Sequence, residues 1–473
     1  MKFNEYKHLD LTKIAEEILA FWKAANIFEQ SITSREGAIP FVFFEGPPSA
    51  NGVPGIHHVM ARSIKDIFCR YKTQKGFQVK RKAGWDTHGL PVELGVEKEL
   101  GITKEDIGKK ISVEDYNKAC KEAVMRYTDI WNDLTEKIGY WVDMDDPYIT
   151  YKPKYMESVW WLLKQLYNKQ LLYKGYTIQP YSPKAGTGLS SHELNQPGCY
   201  RDVSDTTVVA QFKVKALSAA ASKALGNATA SIHILAWTTT PWTLPSNTAL
   251  AVGKEIDYVL VKTFNQYTFE PITIIIGKPL LAKQFGKKFV EGDAAALVAY
   301  TPESKTIPYQ IIGECKGADL VGTAYEQLIP WCTPAENADQ AFRVIAGDFV
   351  TTDDGTGIVH IAPTFGADDA RVAKEYGVPP MLVKDAHGNL IPLVDLQGKF
   401  ITGHNIPEAF AGKYIKNEYY DAGQAPEKSW DVSLAILLKE ENKAFKVEKY
   451  VHSYPHCWRT DKPVLYYPLD SWF

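Results

Sequence analysis

The first third of the chain alternates short apolar runs with amphipathic patterns. Residues 41–44 are an apolar run that breaks into a Gly/Pro-rich turn, and a helical pattern follows near residue 57. In that pattern apolar side chains recur at steps of three and four residues, at Met60, Ile64, Ile67, Phe68 and Tyr71. Residues 157–173 predict a second helix, whose inner face is marked by Val159, Trp160, Leu163, Leu166 and Leu171. Strand, turn and helix in this order predict an α/β domain.

The pattern changes to short β-branched runs between about residues 200 and 447. These runs predict strands at residues 206–212, 232–237, 258–261, 272–276, 342–344 and 357–361. Gly, Pro and Asp separate them, as in a compact barrel or a β-rich α/β domain. After residue 446 the chain becomes aromatic and proline-rich again, like its first part. We therefore predict an α/β domain over residues 1–200, a β-rich insert over 201–447, and a return into the α/β domain over 448–473.

Composition narrows the class of protein. The chain has 473 residues, a net charge of −3 and six widely spaced cysteines. The charge argues against a wholly basic nucleic-acid coat, and the cysteines form no disulfide framework or CxxC pair. The N-terminus predicts an amphipathic helix over residues 11–28 instead of a signal peptide, and no apolar run approaches twenty residues. We expect a cytoplasmic protein that does not contact a membrane.

The turn after the first apolar run is typical of a phosphate site. It contains Gly46, Pro47, Pro48, Asn51, Gly52 and Gly55, and His57 and His58 follow at the start of the helix. Small residues let the backbone approach a ligand, and a helix N-terminus presents unpaired N–H groups to an anion. The alternative is an ordinary turn with a histidine cap. A second segment, residues 84–91, adds Asp86, whose carboxylate could hold a cationic group.

The β-rich region contains two further polar segments. Residues 238–247 bring Thr238, Thr239, Thr240, Thr243 and Asn247 into one loop after a predicted strand, and residues 353–369 place His360 on a strand before Asp368 and Asp369. Hydroxyl groups can position water or a ribose, and a carboxylate can hold an ammonium. Alternatively, the threonines are turn residues and one of the two aspartates is a helix N-cap.

In their order along the chain, residues 46–52, 84–93, 238–247 and 355–369 resemble the motifs of class I isoleucyl-tRNA synthetases. The resemblance runs through nearly the whole chain. It implies a Rossmann-type (HUP-like) catalytic domain interrupted by a β-rich editing domain, also called CP1. It also implies ATP-dependent activation of isoleucine, with Mg²⁺, and its transfer to tRNA(Ile). Hydrolytic editing of valyl-tRNA would then correct the errors of activation.

The resemblance assigns roles to the residues of the activation site. Gly46, Pro47 and Asp86 would bind isoleucine, with Asp86 on its α-ammonium group. ATP would lie against Pro48, Asn51, Gly52, Gly55 and His58. The family signature His-Ile-Gly-His reads Gly55-Ile56-His57-His58 in this chain. We therefore expect His57 to supply the phosphate donor that the first signature histidine normally provides, so that His57 and His58 are the catalytic pair.

The same resemblance assigns the editing site to the β-rich region. Asp369 would hold the ammonium group of the valyl ester, with Asp368 as the less favoured member of the pair. The pocket and the position of adenosine or water would be set by Thr238, Thr239, Thr240, Thr243, Asn247 and His360. No side chain stands out as a general base, so the expected nucleophile is a water oriented by threonine hydroxyls and the ribose hydroxyl of tRNA.

Two family features are missing from the sequence. The Lys-Met-Ser-Lys-Ser signature is absent, so we expect a fragment that lacks that loop and the anticodon-binding domain. Three of the four cysteine positions of the zinc site that relatives often carry are Ser182, Ala185 and Thr460, and only Cys457 remains. One thiolate cannot complete a tetrahedral site, so we expect no zinc. The alternative functions are a freestanding aminoacyl-tRNA deacylase, a non-catalytic tRNA-binding relative, and a small nucleotidylyltransferase, which would not explain the insert.

Overall fold

Residue 5, residues 8–226 and residues 231–473 are described by a computed structural model. They form two units, Met1–Tyr173 and Lys174–Phe473, and each has its own packing. The first unit contains a parallel sheet in the order β1 (Pro40–Phe44), β2 (Gln78–Trp85) and β3 (Asp143–Ile149). Its helices are α1 (Leu11–Ala24), α2 (Ile27–Thr33), α3 (Ile56–Gln74), α4 (Leu90–Leu100), α5 (Val113–Val124), α6 (Thr128–Lys137) and α7 (Pro153–Asn168). A 3₁₀ turn covers Lys104–Asp106.

The predicted strand, turn and helix at the start of this unit are confirmed. Strand β1 leads through the Gly/Pro-rich turn into α3, and α3 returns the chain to β2, which pairs with β1 in parallel. This βαβ arrangement brings the carboxyl ends of β1 and β2 to the same edge of the sheet, where ligands of open α/β sheets bind. The turn at residues 46–55 and Asp86 both follow those ends.

Three helix predictions needed correction. The N-terminal pattern forms α1 and α2 instead of one helix, because Asn26 adopts a left-handed φ of 48° between them. The apolar stripe of α3 faces outward, with Met60 63% exposed, whereas Arg62 is buried. The predicted inner face of α7 is wrong as well, because α7 has no buried residue and Trp160 is 65% exposed. Periodicity locates an apolar stripe but does not say which neighbour covers it.

Arg62 is buried because the protein interior provides partners for its guanidinium group. That group lies 5.0 Å from the centre of the Trp131 ring, and it donates to the Thr135 hydroxyl at 2.6 Å. Stacking on an aromatic face and a hydrogen bond offset part of the cost of removing the charge from water. Burial nevertheless lowers the pKa of Arg62, and the negative charge of nearby Glu45 opposes this shift.

The second unit is dominated by a sheet of eleven strands. Its strands and those of two small sheets are β4 (Lys174–Ser182), β5 (Thr187–Gly188), β6 (Tyr200–Ala216), β7 (Ile232–Thr238), β8 (Ala249–Val252), β9 (Asp257–Phe264), β10 (Pro271–Gly277), β11 (Phe289–Glu291), β12 (Ile307–Lys316), β13 (Ala324–Tyr325), β14 (Arg343–Ala346), β15 (Ile358–Ile361), β16 (Leu382–Lys384), β17 (Leu390–Pro392), β18 (Ala444–Pro455) and β19 (Leu465–Trp472). Each of the six predicted strands lies within or overlaps one of these.

The helices of the second unit are short and connect the strands. They are α8 (Ser191–Leu194), α9 (Ala219–Leu225), α10 (Leu281–Phe285), α11 (Ala294–Ala299), α12 (Gly317–Leu320), α13 (Ala367–Glu375) and α14 (Trp430–Glu440). Further 3₁₀ turns cover Pro241–Ser246, Lys278–Leu280, Gly286–Lys288, Ala338–Gln340 and Asn417–Tyr419. Over the part of the chain that is described, no helix combines the length and the apolarity needed to cross a membrane.

Six strands of the large sheet close into a barrel. The pairings run β6–β7–β15–β8–β14–β13 and return to β6, because β6 pairs with both β7 and β13. The hydrophobic core cluster to which these strands contribute includes Val208, Phe212, Ile234, Leu250 and Val344. Barrel closure removes exposed strand edges, so the barrel is a rigid platform for its connecting loops.

The mixed α/β fold class predicted from the sequence is confirmed. The first unit carries the parallel sheet with crossover helices, and the second carries the β-rich barrel. Strand β6 also pairs with β18 in antiparallel fashion, from Ala210 with Ala444 to Tyr200 with Pro455. The two chain segments that bound the predicted insert therefore lie side by side.

We predict that Gly84→Ala destabilises the first unit. A Cβ atom at this position of β2 would overlap the ring of Tyr148, whose hydroxyl donates to the Glu45 carbonyl and whose ring stacks on Tyr155. Overpacking of this kind costs about 1–3 kcal/mol. Urea unfolding followed by tryptophan fluorescence measures the change.

The matched control is Gly95→Ala in α4, where no neighbour lies within 4 Å of the new Cβ. An alanine in an open helical position should stabilise the unit by about 0.5–1 kcal/mol. Equal stabilities of the two variants would contradict the close approach of Tyr148 to β2.

Candidate active sites

The turn after β1 is held in place by hydrogen bonds to α6 and its N-terminal flank. The Tyr127 N–H donates to the Ala50 carbonyl at 3.0 Å, and the Trp131 indole N–H donates to the Gly52 carbonyl at 2.8 Å. Residue 50 is buried, while Gly46 is exposed and Gly52 is half-buried. The turn is therefore fixed from behind and open in front, as a loop that binds a ligand through its backbone needs to be.

Glu45, directly before this turn, is a buried carboxylate. Its oxygens accept from the Lys65 ammonium and the Tyr140 hydroxyl, and its backbone N–H donates to the Lys82 carbonyl at 2.9 Å. Desolvation by burial and the hydrogen bond to Glu45 both raise the pKa of Tyr140, so its hydroxyl keeps its proton and donates. Glu45 thus fixes the backbone at the point where the exposed Gly46 begins.

Gly55 is the N-cap of α3, and His58 completes the cap. The Gly55 N–H donates to His58 Nδ1 at 2.9 Å, while the His58 N–H donates to the Gly55 carbonyl at 3.0 Å. Burial, and then the neighbouring His57, lower the pKa of His58. Its ring is therefore neutral at physiological pH, with Nδ1 as an acceptor and Nε2–H as a donor. The capping role and a ligand-binding role are compatible, because they use different nitrogens.

The His57 ring occupies the space beside Gly55. A Cβ atom on Gly55 would lie 2.8 Å from Cε1 and 3.0 Å from Nδ1 of His57. The rings of His57 and His58 are 3.8 Å apart at their centres, and His57 is exposed. The two imidazoles therefore lie together at the N-terminus of α3, and His57 fills the place that a side chain at residue 55 would take.

Asp86 lies next to the same turn. Its N–H donates to the Pro48 carbonyl at 3.0 Å, and its Oδ1 accepts from the His88 N–H at 3.4 Å. Its side chain is half-buried, so a carboxylate oxygen remains accessible to a cationic ligand. The structure therefore brings Pro48 of the turn and Asp86 together.

In the second unit, five predicted residues form one hydrogen-bonded network. Thr238 Oγ1 lies 3.3 Å from Thr240 Oγ1, the Thr243 hydroxyl donates to the Thr240 carbonyl at 2.8 Å, and Thr243 Oγ1 lies 2.8 Å from His360 Nε2. Asn247 Nδ2 lies 3.1 Å from His360 Nδ1. We call Thr238, Thr240, Thr243, Asn247 and His360 the threonine network.

The barrel explains why these residues meet. We call residues 238–247 the threonine loop. It leaves β7, forms the 3₁₀ turn Pro241–Ser246, and enters β8, while His360 lies on β15 between those two strands. Strand β15 is parallel to β7 and antiparallel to β8, so His360 faces the start of β8 and the end of β7. The network therefore lies at one end of the barrel. Thr239 and Thr240 are half-buried, which leaves this end accessible.

His360 does not have the properties of a general base. It is 7% exposed, and both of its ring nitrogens are engaged by Asn247 and Thr243. Burial lowers the pKa of His360 to about 4, so the ring is neutral and binds protons weakly near pH 7. Its function in the network is therefore to hold Thr243 and Asn247 in place.

Asp369 lies in the first turn of α13, and Gly366 is the N-cap of that helix. The Ala362 N–H donates to Asp369 Oδ2 at 2.8 Å. Burial raises the pKa of Asp369 to about 6, an effect that the Ala362 hydrogen bond opposes and Asp368 strengthens. Asp368 is exposed and lies 3.8 Å from the Arg371 guanidinium. Neither aspartate is the N-cap, and Asp369 is the one directed back toward the end of β15.

The threonine loop is also anchored by a residue that the sequence analysis missed. The Trp242 N–H donates to Asp431 Oδ1 at 2.8 Å, and the second carboxylate oxygen lies 3.8 Å from the Lys416 ammonium. Lys416 also pairs with Asp205 at 2.9 Å. Burial lowers the pKa of Lys416, but Asp431 and the other acidic partners outweigh it, so the net pKa is raised and the group stays charged. Asp431 lies in the first turn of α14, where an acidic residue is the sequence signal of an ordinary helix start.

A second missed residue, Tyr325 of β13, contacts the network from the opposite side. Its hydroxyl donates to Asn247 Oδ1 at 2.7 Å, and its ring packs edge-on against Phe212. Tyr325 is only 2% exposed. A buried tyrosine in a two-residue strand carries no signal in the sequence that distinguishes it from other core aromatics.

The residues at the zinc position of relatives do not fit a metal ion. The Ser182 hydroxyl accepts from the Ala185 N–H at 3.3 Å, and Ala185 offers no ligand atom. Cys457 is a free, buried thiol in a turn closed by a hydrogen bond from the Asp461 N–H to the Cys457 carbonyl. In residues 8–226 and 231–473, no group of three or more His, Cys, Asp or Glu side chains is placed to hold a metal ion.

Comparison with known proteins identifies the class. The family model for class I tRNA synthetases (I, L, M and V) matches residues 17–473, so the chain belongs to that family. The chain is 61% identical to the isoleucine–tRNA ligase of Bacteroides fragilis (strain ATCC 25285) over 485 aligned residues, which cover 100% of this chain and 42% of the relative. The corresponding ligase of Porphyromonas gingivalis is 61% identical over 487 residues, with the same two shares.

A more distant relative matches over nearly the whole chain. The isoleucine–tRNA ligase of Clostridium tetani is 45% identical over 99% of this chain and 39% of its own length. Among solved structures, "The crystal structure of GlLeuRS-CP1" aligns with a TM-score of 0.32 and 16% identity, over 52% of this chain and 99% of that chain. The resemblance to isoleucyl-tRNA synthetases seen in the sequence is confirmed. The chain spans about two fifths of the length of the curated relatives it matches.

We predict that Asp431→Leu destabilises the second unit by about 2–3 kcal/mol, because it leaves the buried Trp242 N–H without an acceptor, while Lys416 keeps its nearer partner Asp205. Asp431→Asn keeps an oxygen for Trp242 and should cost only about 1–2 kcal/mol. Urea unfolding of the two variants measures the difference.

The control is Glu314→Gln, which breaks a half-exposed pair with Lys278 and should change stability by no more than about 0.5 kcal/mol. If the Leu variant were as stable as this control, Asp431 would not anchor the loop.

Proposed function

We propose that the chain is the part of an isoleucine–tRNA ligase that contains one wall of the amino-acid activation site and a complete editing site. The high identity to ligases of that name over this whole chain supports the proposal. The editing function rests on one observation: the five residues of the threonine network lie together at one end of the barrel. Isoleucine, ATP with its Mg²⁺ and tRNA(Ile) are the proposed ligands.

In the proposed activation site, residues of this chain bind isoleucine and ATP and orient them. The accessible Asp86 carboxylate suits the α-ammonium group of isoleucine, and the backbone of Gly46 and Pro47 forms the neighbouring wall. The N-terminus of α3 and the Nε2–H of His58 are donors for ATP phosphate oxygens. His57, beside Gly55, adds a donor on the same side. Pro48, Asn51 and Gly52 complete the nucleotide loop in this proposal.

Activation alone cannot separate isoleucine from valine. Valine is smaller by one methylene, so a pocket that admits isoleucine also admits valine, and binding separates the two by only about 10- to 200-fold; the isoleucine enzyme is the standard example of this limit. A second site that hydrolyses the smaller product is the chemical solution. The barrel end offers such a site.

In the editing site, Asp369 is the proposed partner of the valyl ammonium group. Its carboxylate must be ionised to form this pair, and the cation of the ligand favours ionisation. Thr239 and Thr240 present hydroxyls at the accessible end of the barrel, where they can orient water toward the ester carbonyl, and the buried Thr238 hydroxyl supports that of Thr240 at 3.3 Å. Since His360 is neutral and engaged, the ribose hydroxyl of the terminal adenosine is the better candidate for assisting proton transfer.

The β-rich insert and a cytoplasmic location remain proposals. The pairing of β6 with β18 supports boundaries near residues 201 and 447, because a domain inserted into another needs its two ends close together. The six cysteines are all free thiols, which suits a reducing compartment.

We predict that His57→Ala raises the ATP concentration needed for isoleucyl-adenylate formation about tenfold in the full-length polypeptide, because it removes a phosphate donor. The double variant Gly55→His/His57→Gly moves the imidazole to residue 55, whose side-chain space the His57 ring fills in this chain. This variant should restore the ATP dependence of the unchanged enzyme. Adenylate formation is measured by ATP–pyrophosphate exchange.

The control is His192→Ala, an exposed histidine of the second unit, which should leave the ATP dependence unchanged. An unaltered ATP dependence in the His57→Ala enzyme would contradict the assignment of His57.

We predict that the chain as it stands hydrolyses valyl-tRNA(Ile) much faster than isoleucyl-tRNA(Ile). The specificity constant kcat/KM should rise with pH through about 6, since the Asp369 carboxyl must lose its proton, and should be about tenfold lower at pH 5 than on the plateau. Asp369→Asn should abolish both the activity and this pH dependence. Release of radiolabelled valine, corrected for spontaneous hydrolysis at each pH, measures the rates.

Asp368→Asn is the matched control and should retain activity. Equal rates on the two aminoacyl-tRNAs, or full activity in Asp369→Asn, would contradict the editing assignment. Hydrolysis of valyl-tRNA without any adenylate formation by the full-length polypeptide would favour a freestanding deacylase.

A further inference from the structure

Tyr325 lies outside every predicted site, yet it ends a directed chain of hydrogen bonds that reaches the threonine loop. Three of its members, Asn247, His360 and Tyr325, are each less than 8% exposed, so water does not compete for their hydrogen bonds. Each donor and acceptor in such a network must match its neighbour. The direction of the chain can therefore be followed atom by atom.

The direction is set at Asn247. Its Nδ2 donates to the Ala249 carbonyl at 2.8 Å and is 3.4 Å from the Ile361 carbonyl. Carbonyl oxygens only accept, so the amide nitrogen must occupy this end and Oδ1 the other. The Tyr325 hydroxyl donates to that Oδ1 at 2.7 Å. Burial raises the pKa of Tyr325 well above its usual range, so the hydroxyl proton is retained.

The orientation of Asn247 determines the tautomer of His360. Since Nδ2 of Asn247 approaches His360 Nδ1 at 3.1 Å as a donor, Nδ1 must be the unprotonated nitrogen. The proton of the neutral ring then resides on Nε2, which donates to Thr243 Oγ1 at 2.8 Å. Thr243 in turn donates to the Thr240 carbonyl at 2.8 Å.

We propose that Tyr325 is a positioning residue of the editing site, which holds His360 in the Nε2–H tautomer through Asn247 and thereby directs the Thr243 hydroxyl toward the Thr240 carbonyl. With the Thr243 proton committed to that carbonyl, Thr243 Oγ1 is an acceptor toward Thr240 Oγ1, which lies 3.5 Å away. The half-buried Thr240 hydroxyl is thus oriented from within the barrel. The inference rests on the proposed editing function.

Removal of the Tyr325 hydroxyl leaves Asn247 Oδ1 buried without a donor. Turning the amide does not compensate, because it would bring Oδ1 against the Ala249 carbonyl. The amide instead carries an unpaired Oδ1, and we expect it to shift, which weakens the hydrogen bond from its Nδ2 to His360 Nδ1. A fraction of His360 can then take the Nδ1–H form, in which Nε2 accepts from the Thr243 hydroxyl and the Thr240 carbonyl loses its partner. Loss of one remote hydroxyl would therefore loosen the chain of donors that orients Thr240.

The test compares Tyr325→Phe with the wild-type chain in two measurements. Two-bond ¹H–¹⁵N spectra of ¹⁵N-histidine-labelled protein report the tautomer of His360, whose signals are assigned by their loss in His360→Gln. We expect Nε2–H in the wild type and a gain of Nδ1–H in Tyr325→Phe. We also expect kcat for valyl-tRNA hydrolysis to fall at least about tenfold with KM unchanged. The control is Tyr467→Phe, which removes another buried hydroxyl that donates to a carbonyl, that of Val394, at 2.8 Å.

The outcomes separate this inference from the editing function itself. Nδ1–H in wild-type His360 would overturn the inference without any variant, so it stays testable even if Tyr325→Phe does not fold. A lower kcat with an unchanged tautomer, or an equal loss in Tyr467→Phe, would also overturn it. The expected tautomer change in a protein without valyl-tRNA hydrolysis would support the positioning of His360 while contradicting the editing function.

Discussion

Closure of the barrel by β6 is the constraint on which the second unit depends. One strand pairs with β7 on one side and with β13 on the other, and its outer part pairs with β18. Closure brings the end of β7, the start of β8, the end of β13 and the exit of β15 to one rim. The threonine network is assembled from these strand ends. Sites on strand ends are more precise than sites on free loops, because backbone pairing fixes the position of each side chain.

The chemistry of that rim is set by burial. His360 is buried and Asp369 is half-buried, and burial acts in opposite directions on them: the pKa of the imidazole falls to about 4 and that of the carboxyl rises to about 6. Near neutral pH the first is uncharged and the second is mostly ionised. The barrel end therefore holds a neutral imidazole inside the network and a mostly ionised carboxylate on the helix that follows β15.

Predictions from the sequence succeeded where a local rule determines the outcome. Strands of β-branched residues, such as residues 272–276, and the turn after residue 44 follow from composition and alternation alone. The faces of α3 and α7 could not be predicted, since periodicity identifies a stripe but not its partner, and Arg62 is buried against a tryptophan 69 positions later in the chain. Asp431 lies 189 residues along the chain from its partner Trp242, and Tyr325 lies 78 residues from its partner Asn247. No local pattern encodes such contacts.

These remote contacts matter for the proposed editing function because editing by size needs a rigid wall. A site that accepts valine and excludes isoleucine must resolve one methylene, so its wall has to resist displacements of about an ångström. Threonine hydroxyls on a free loop would not meet this condition. Here the loop is fixed at Trp242 by Asp431, at Thr243 by His360 and at Asn247 by Tyr325. Three points of one loop are thus held by α14, β15 and β13, so that in the proposed editing site specificity is a property of the fold as much as of the residues that touch the ligand.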